Sequence, residues 1–276
     1  MRKTMKNTRQ IYLAAILVLI SATILAATLV FAGGPKARAI MEKVDARDDG
    51  DNMTVDMEMI LIDKRGKKRV RRIHAFNKDK GEDTFKLMFF LEPADVKDTA
   101  FLTYDYDDAN KDDDQWLYLP ALRKTKRIAS SDKTNSFMGS DFSYADMTER
   151  ALENYNYKLL KEMEVRGHKT WLIESLPRTK LVIDQYGYNK SILFVRQDNF
   201  VVVRAVHWVN EGKRLKYMDV KRLEFIDSIW QPTEIHMTTK KGKQTLHKTI
   251  MKWHNVKFNQ NLGEDLFTVR RMEKGL

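Results

Sequence analysis

Cysteine is absent from all 276 residues, so neither disulfides nor thiolate chemistry can operate, and stability rests on an apolar core alone. Without a lipobox cysteine the chain is not expected to be a lipoprotein itself. No stretch rich in proline, glycine or serine divides the chain, and no repeat or low-complexity tract is visible. Histidines are few, at 74, 168, 207, 236, 247 and 254, and no pair has zinc-ligand spacing. His247 and His254 lie seven apart, which on a strand places them on opposite faces. These absences point away from a metal enzyme, and no metal and no cofactor are expected.

What is present begins with Arg2, Lys3, Lys6 and Arg9, followed by an uncharged run from Ile11 to Ala32 that ends Val30-Phe31-Ala32. This is the charged, apolar and small-residue pattern of a signal peptide over 1–32, with a cut before Gly33. The run is also long enough to span a bilayer, so an uncleaved inner-membrane anchor is the alternative. Both readings export the body, 33–276, expected as one periplasmic domain. Net charge is +11 over the whole chain. In an envelope compartment this suits anionic headgroups or acidic partners rather than nucleic acid.

Lys36 to Ala46 reads as a short amphipathic helix, stopped by Asp48-Asp49-Gly50. From Met53 the period becomes two, with Met53, Val55, Met57, Met59 and Leu61 on one parity. Strand-like runs follow near 69–77, 84–91, 99–104, 115–119 and 122–129. More lie near 156–164, 168–176, 180–186, 191–197, 200–210, 213–223, 232–240 and 244–256, punctuated by turn residues. This predicts a mainly β (α+β) chain built on a large antiparallel meander. So many strands must close, split or wrap, and the 36–46 helix and the 140–154 segment are natural objects to wrap around.

Few residues carry recognisable chemistry. Six aspartates crowd 105–114, but an EF-hand loop needs a mid-loop glycine, and the twelfth position counted from Asp108 is Leu119. A solvated hairpin loop is expected there. Ser130-Ser131-Asp132-Lys133 matches S-x-x-K without its partner motifs, and Gly242-Lys243 lacks a phosphate loop's flanks. No catalytic set emerges, so the chain is expected not to be an enzyme. Lys64, Arg65, Lys67, Lys68, Arg69, Arg71 and Arg72 form one basic hairpin, and Arg123, Lys124, Lys126 and Arg127 form another. They serve as solvated edge protection or as transient contacts with an anionic membrane surface.

The stretch from Trp116 to Met147, WLYLPALRKTKRIASSDKTNSFMGSDFSYADM, is the most informative. It opens as a strand, turns basic, and becomes a polar loop carrying Phe137, Met138, Phe142, Tyr144 and Met147. Such side chains must be buried in the protein's own core or against a ligand. Met53, Met57, Met59 and Met88, with Phe89 and Phe90, crowd the early strands, as an ordinary core or as a plastic wall that adapts to cargo.

The signal segment, the helix, Phe89-Phe90-Leu91-Glu92-Pro93, the WLYLPALRKTKRI pair, MGSDFSYADM and the closing LFTVRR together resemble the LolA-like outer-membrane lipoprotein-sorting proteins. The branch often encoded beside RND-type exporters is the more similar. The resemblance implies a single strongly curved antiparallel half-barrel with helices covering its concave face. It also implies a non-enzymatic periplasmic carrier of lipoprotein acyl chains or another lipid. On that reading Phe137, Met138, Phe142, Tyr144 and Met147 form a lid, and Met57, Met59, Phe89, Trp116 and Tyr118 contribute to the wall. A periplasmic adaptor or sensor docking on an RND-type exporter or an envelope-stress partner is the competing expectation.

Overall fold

The computed structural model describes residues 34–276; the expected signal segment 1–32 lies outside the described residues. Thirteen strands follow in chain order. They are β1 (Asn52–Asp63), β2 (Lys68–Lys80), β3 (Asp83–Glu92), β4 (Ala100–Asp105), β5 (Asp114–Leu119), β6 (Lys124–Arg127) and β7 (Tyr155–Val165). Then come β8 (His168–Pro177), β9 (Tyr188–Arg196), β10 (Val202–Val209), β11 (Arg214–Ile226), β12 (Ile229–Lys241) and β13 (Gln244–Phe258). Among the described residues three α-helices accompany them: α1 (Gly34–Asp45), α2 (Lys180–Tyr186) and α3 (Val269–Lys274).

All thirteen strands join one antiparallel sheet in the order β6-β5-β4-β3-β2-β1-β13-β12-β11-β10-β9-β8-β7. Two meanders meet where β1 pairs with β13, in a register that sets Met59 opposite Met251 and Met57 opposite Trp253. The edges, β6 and β7, are consecutive in sequence. The segment joining them must therefore travel from one side of the sheet to the other across one face. At ~4.8 Å per strand that crossing is roughly 58 Å if flat, and the 128–154 segment makes it.

The mainly β architecture is as expected, one thirteen-stranded antiparallel sheet with few short helices, but the sheet is not strongly curled as the half-barrel expectation required. Apolar clusters lie on both faces. The 128–147 segment packs one face, while Phe267 and Met272 of the C-terminal segment pack the other.

Helix α1 shares the loop's face. Ala37, Ile40 and Met41, spaced i, i+3, i+4, bury against Leu152, Ile173 and Val195. Arg38 ties it down, donating to the Leu152 carbonyl (2.7 Å) and to Glu153 (2.7 Å). The strand expected at 180–186 is helix α2, because Thr179 caps its start by accepting from the Val182 N–H, and Gly187 at φ 77° ends it. Short 3₁₀ turns, not an α-helix, occupy 137–139, 144–147 and 152–154.

Candidate functional site

Strand alternation sorts the apolar residues of β1 to β5 onto two faces. Cross-strand pairing places Met57 beside Ile73, Ile73 beside Phe90, Ala75 beside Met88, Met88 beside Phe101, and Phe101 beside Leu117. These residues, with Met59, Leu61 and Met251, form one continuous apolar cluster. The loop lies on it. Phe137, only 1% exposed, sits with its ring 5.0 Å from Phe101, 6.2 Å from Phe90 and 5.6 Å, edge-on, from Tyr144. Met138, Phe142, Tyr144 and Met147 are half-buried against the same cluster.

Seven of the ten residues singled out from the sequence thus meet on one face. Phe89, Trp116 and Tyr118 do not. They point to the opposite face and pack with Leu87, Leu102, Phe267 and Met272 beneath α3. Trp116 lies edge-on to Tyr104, whose hydroxyl donates to the Phe267 carbonyl (2.7 Å). Alternation is the reason: Trp116 and Tyr118 share one parity of β5, whereas Leu117 and Leu119 occupy the parity under the loop.

Polar pins, which sequence reasoning missed, hold the loop down. The buried Asp141 accepts from Thr239 Oγ1 (2.5 Å), Thr249 Oγ1 (2.7 Å) and His247 Nδ1 (2.7 Å), joining the loop to β12 and β13. Asp146 accepts from the Ser143 N–H (2.9 Å), Arg150 (3.0 Å) and the Tyr188 hydroxyl (2.8 Å), and lies 3.5 Å from Lys216. Burial opposes its ionisation, but Lys216, Arg150 and the Ser143 N–H outweigh that and hold its carboxyl at about 2. His207 stacks on Tyr188 at 4.7 Å and bonds Ser191 at 2.7 Å. Burial first, then Arg150 and Lys216, push its imidazole down to about 3, so it is neutral at pH 7. Two aspartates in an otherwise apolar-rich loop were the available signal, since such acids need partners when the loop is buried.

The loop backbone is pinned as well. Buried Arg71 donates to the Met138 carbonyl, and Gln115 Nε2 to the Tyr144 carbonyl (2.9 Å). Met138 sits at φ 50°, a left-handed conformation that non-glycine residues adopt at a cost of about 1 kcal/mol or more. The acidic 105–114 loop is less solvated than expected. Asp105 accepts from Lys86 (2.6 Å) and from the Glu149 N–H (3.0 Å), while Asp112 pairs with the buried Lys133. Burial and neighbouring Asp105 raise the Asp113 carboxyl to about 6. Ser130 and Lys133, the ends of the S-x-x-K match, both bond Asp112.

The loop's side chains therefore fill the space over the methionine-rich face in this conformation. At its margin a cleft of about 630 Å³ opens between the 131–143 segment, the end of α2 and the β10–β13 turns, reaching Phe142, Tyr188, Lys216 and His247. Among the described residues no helix is long and apolar enough to cross a membrane.

Residues 82–274, well over half of the chain, match a family model described as "Uncharacterized protein". A solved DUF1329-family protein from Desulfovibrio piger is 27% identical, with TM-score 0.79 over 87% of this chain and 99% of its own. A putative outer membrane lipoprotein-sorting protein domain from Vibrio parahaemolyticus is 28% identical, with TM-score 0.78 over 87% and 99%. A LolA superfamily protein from Nitrosomonas europaea shares the fold, at 19% identity and TM-score 0.63 over 85% and 98%. No curated protein matches the chain.

Proposed function

The chain belongs to the family whose model matches residues 82–274 and has the fold of the LolA-like outer membrane lipoprotein-sorting protein domain, and we propose that it is a non-enzymatic carrier working in the cell envelope, which takes acyl chains of a lipid or lipoprotein between its loop and its methionine-rich face. The observation that carries this reading is the loop itself. Five apolar side chains on a segment with little regular structure seal an apolar face rich in methionine. Met57, Met59, Met88 and Met251 supply a wall whose flexible thioethers adapt to chains of differing shape.

Energetics favour such a competitor. Burying methylenes is worth about 0.8 kcal/mol each, so a chain of ~16 carbons offers on the order of 12 kcal/mol, too much for ready release. A loop that reoccupies the face when cargo leaves reduces the net affinity to the difference between the two packings. The polar pins at Asp141 and Asp146 would return the loop to one register. Phe89, Trp116 and Tyr118, on the far face, take no part.

The test is to purify the exported protein, extract it with organic solvent and identify any bound lipid by mass spectrometry, then titrate the stripped protein with a fluorescent fatty acid. Co-purified lipid and saturable probe binding are expected. Absence of both would reject the carrier in favour of a docking adaptor for an inner-membrane exporter.

A further inference from the structure

Following the chain through the antiparallel sheet assigns every turn to one of two ends, and the ends carry opposite charge. At one end lie the β1–β2, β12–β13 and β10–β11 turns, adjacent because β2, β1, β13, β12, β11 and β10 are consecutive in the sheet. They present Lys64, Arg65, Lys67 and Lys68, then Lys241 and Lys243, then Lys213 and Arg214, all exposed. Among the described residues none of these eight is in a salt bridge. Asp63 accepts from the Arg65 and Lys67 backbone N–H groups within its own turn, and Glu211 is the one other acid in these three turns. The β5–β6 turn adds Arg123 and Lys124 at the same end. The loop between β3 and β4, with Glu92, Asp95, Lys97 and Asp98, is the acidic exception.

At the other end lie Asp48, Asp49 and Asp51 before β1, Glu82 and Asp83 between β2 and β3, and Asp107 and Asp108 between β4 and β5. Asp198, Asp227, Glu264 and Asp265 lie there too, and these acids together outnumber the basic Arg47, Lys80, Lys111, Arg166 and Lys169 of the same end, of which Lys80 pairs with Glu264 and Arg166 with Asp219. The balance of charge thus differs in sign between the two ends of the strand axis, which neither composition nor any single hairpin reveals.

The geometry points to docking of the basic end on an anionic lipid surface. Six strands at ~4.8 Å spread the three central turns over roughly 24 Å, with neighbours within a Debye length of about 8–10 Å, so their fields reinforce one another. Like charges concentrated without acidic partners are unfavourable alone and favourable against an anionic plane. A large apolar side chain stands at the same end, Leu122 of the β5–β6 turn, 68% exposed beside Arg123 and Lys124, where it can enter the headgroup layer. A lipid surface satisfies both features at once, which an acidic protein need not. The acidic end faces away, so docking has one orientation.

That orientation brings the cleft beside Phe142 and His247 to the membrane, since Asn210, Glu211, Arg214 and Leu246 of the basic-end turns line it. Here the inference rests on the carrier reading for its purpose; docking itself does not.

The test is flotation of the purified protein with vesicles of phosphatidylcholine, alone or with phosphatidylglycerol, over a range of salt. Binding only to the anionic vesicles, weakening with salt, is expected. Lys64→Glu with Lys67→Glu should lower it at least tenfold, at about fivefold per cation removed. Lys158→Glu with Lys161→Glu, the same charge change on exposed β7, should matter far less. Equal loss in both variants, or no binding to anionic vesicles at low salt, overturns the proposal; so does binding to polyglutamate without binding to vesicles, which would indicate an acidic protein partner. Fatty-acid titration of the same samples separates the two readings: docking without probe uptake removes the carrier and leaves the docking surface standing.

Discussion

Replacing Phe137 by alanine distinguishes a displaceable loop from a fixed one. The ring is fully buried against Phe90, Phe101 and Tyr144, so truncation should destabilise the closed state by about 3–5 kcal/mol. At roughly 2–4 °C per kcal/mol for a chain of this size, Tm should fall by about 6–20 °C. If cargo occupies the face only after the loop has left, the cargo-bound state never contained this packing and loses nothing. The same free energy then appears as tighter binding, up to about 100-fold for 3 kcal/mol. The assay is a fluorescent fatty acid titration of stripped wild type and Phe137→Ala, beside their thermal melts. A lower Tm with unchanged or weaker binding would refute the competition and make Phe137 an ordinary core residue.

Asp141→Ala removes the shared acceptor of Thr239, Thr249 and His247, and should cost on the order of 3 kcal/mol. It should raise hydrogen exchange of the 137–147 amides more than that of β7–β9. His207 is held neutral in the fold down to about 3, whereas an unfolded histidine takes a proton near 6.5. Stability from this group therefore falls as pH drops through that window, by about 2 kcal/mol between pH 7 and 5 relative to His207→Gln, as read from urea melts. Asp113 has the opposite sign. Its folded carboxyl titrates near 6, above its unfolded value, so it adds stability as pH falls from 6 toward 4, and Asp113→Asn should abolish that gain. Gly50 sits at φ 82°, where an added Cβ would lie 2.7 Å from Phe258, so Gly50→Ala should cost about 1–2 kcal/mol in a denaturant melt.

The local chemistry of the chain was legible without coordinates. Alternation at Met53 to Leu61 marks β1, the apolar spacing of Ile40 and Val44 marks α1, and the excess of large side chains between Phe137 and Met147 marks a segment that must be buried. These follow from periodicity and the cost of exposing apolar surface, both properties of neighbouring residues. A short apolar run such as 180–186 suits strand and helix alike, and only the Thr179 and Gly187 caps separate them.

Tertiary structure decided the rest. Which parity of β3 and β5 faces the loop depends on what packs above each face, so Phe89, Trp116 and Tyr118 could be placed under α3 only once Phe267 and Met272 were seen there. The partners of Asp141 lie about a hundred residues away, on strands whose register is set by long-range pairing. The difference in charge balance between the two ends depends on strand direction. By itself, the sequence determined which residues need burial, pairing or a surface; their partners were decided by the order in which thirteen strands join, a non-local choice that no window of the chain contains.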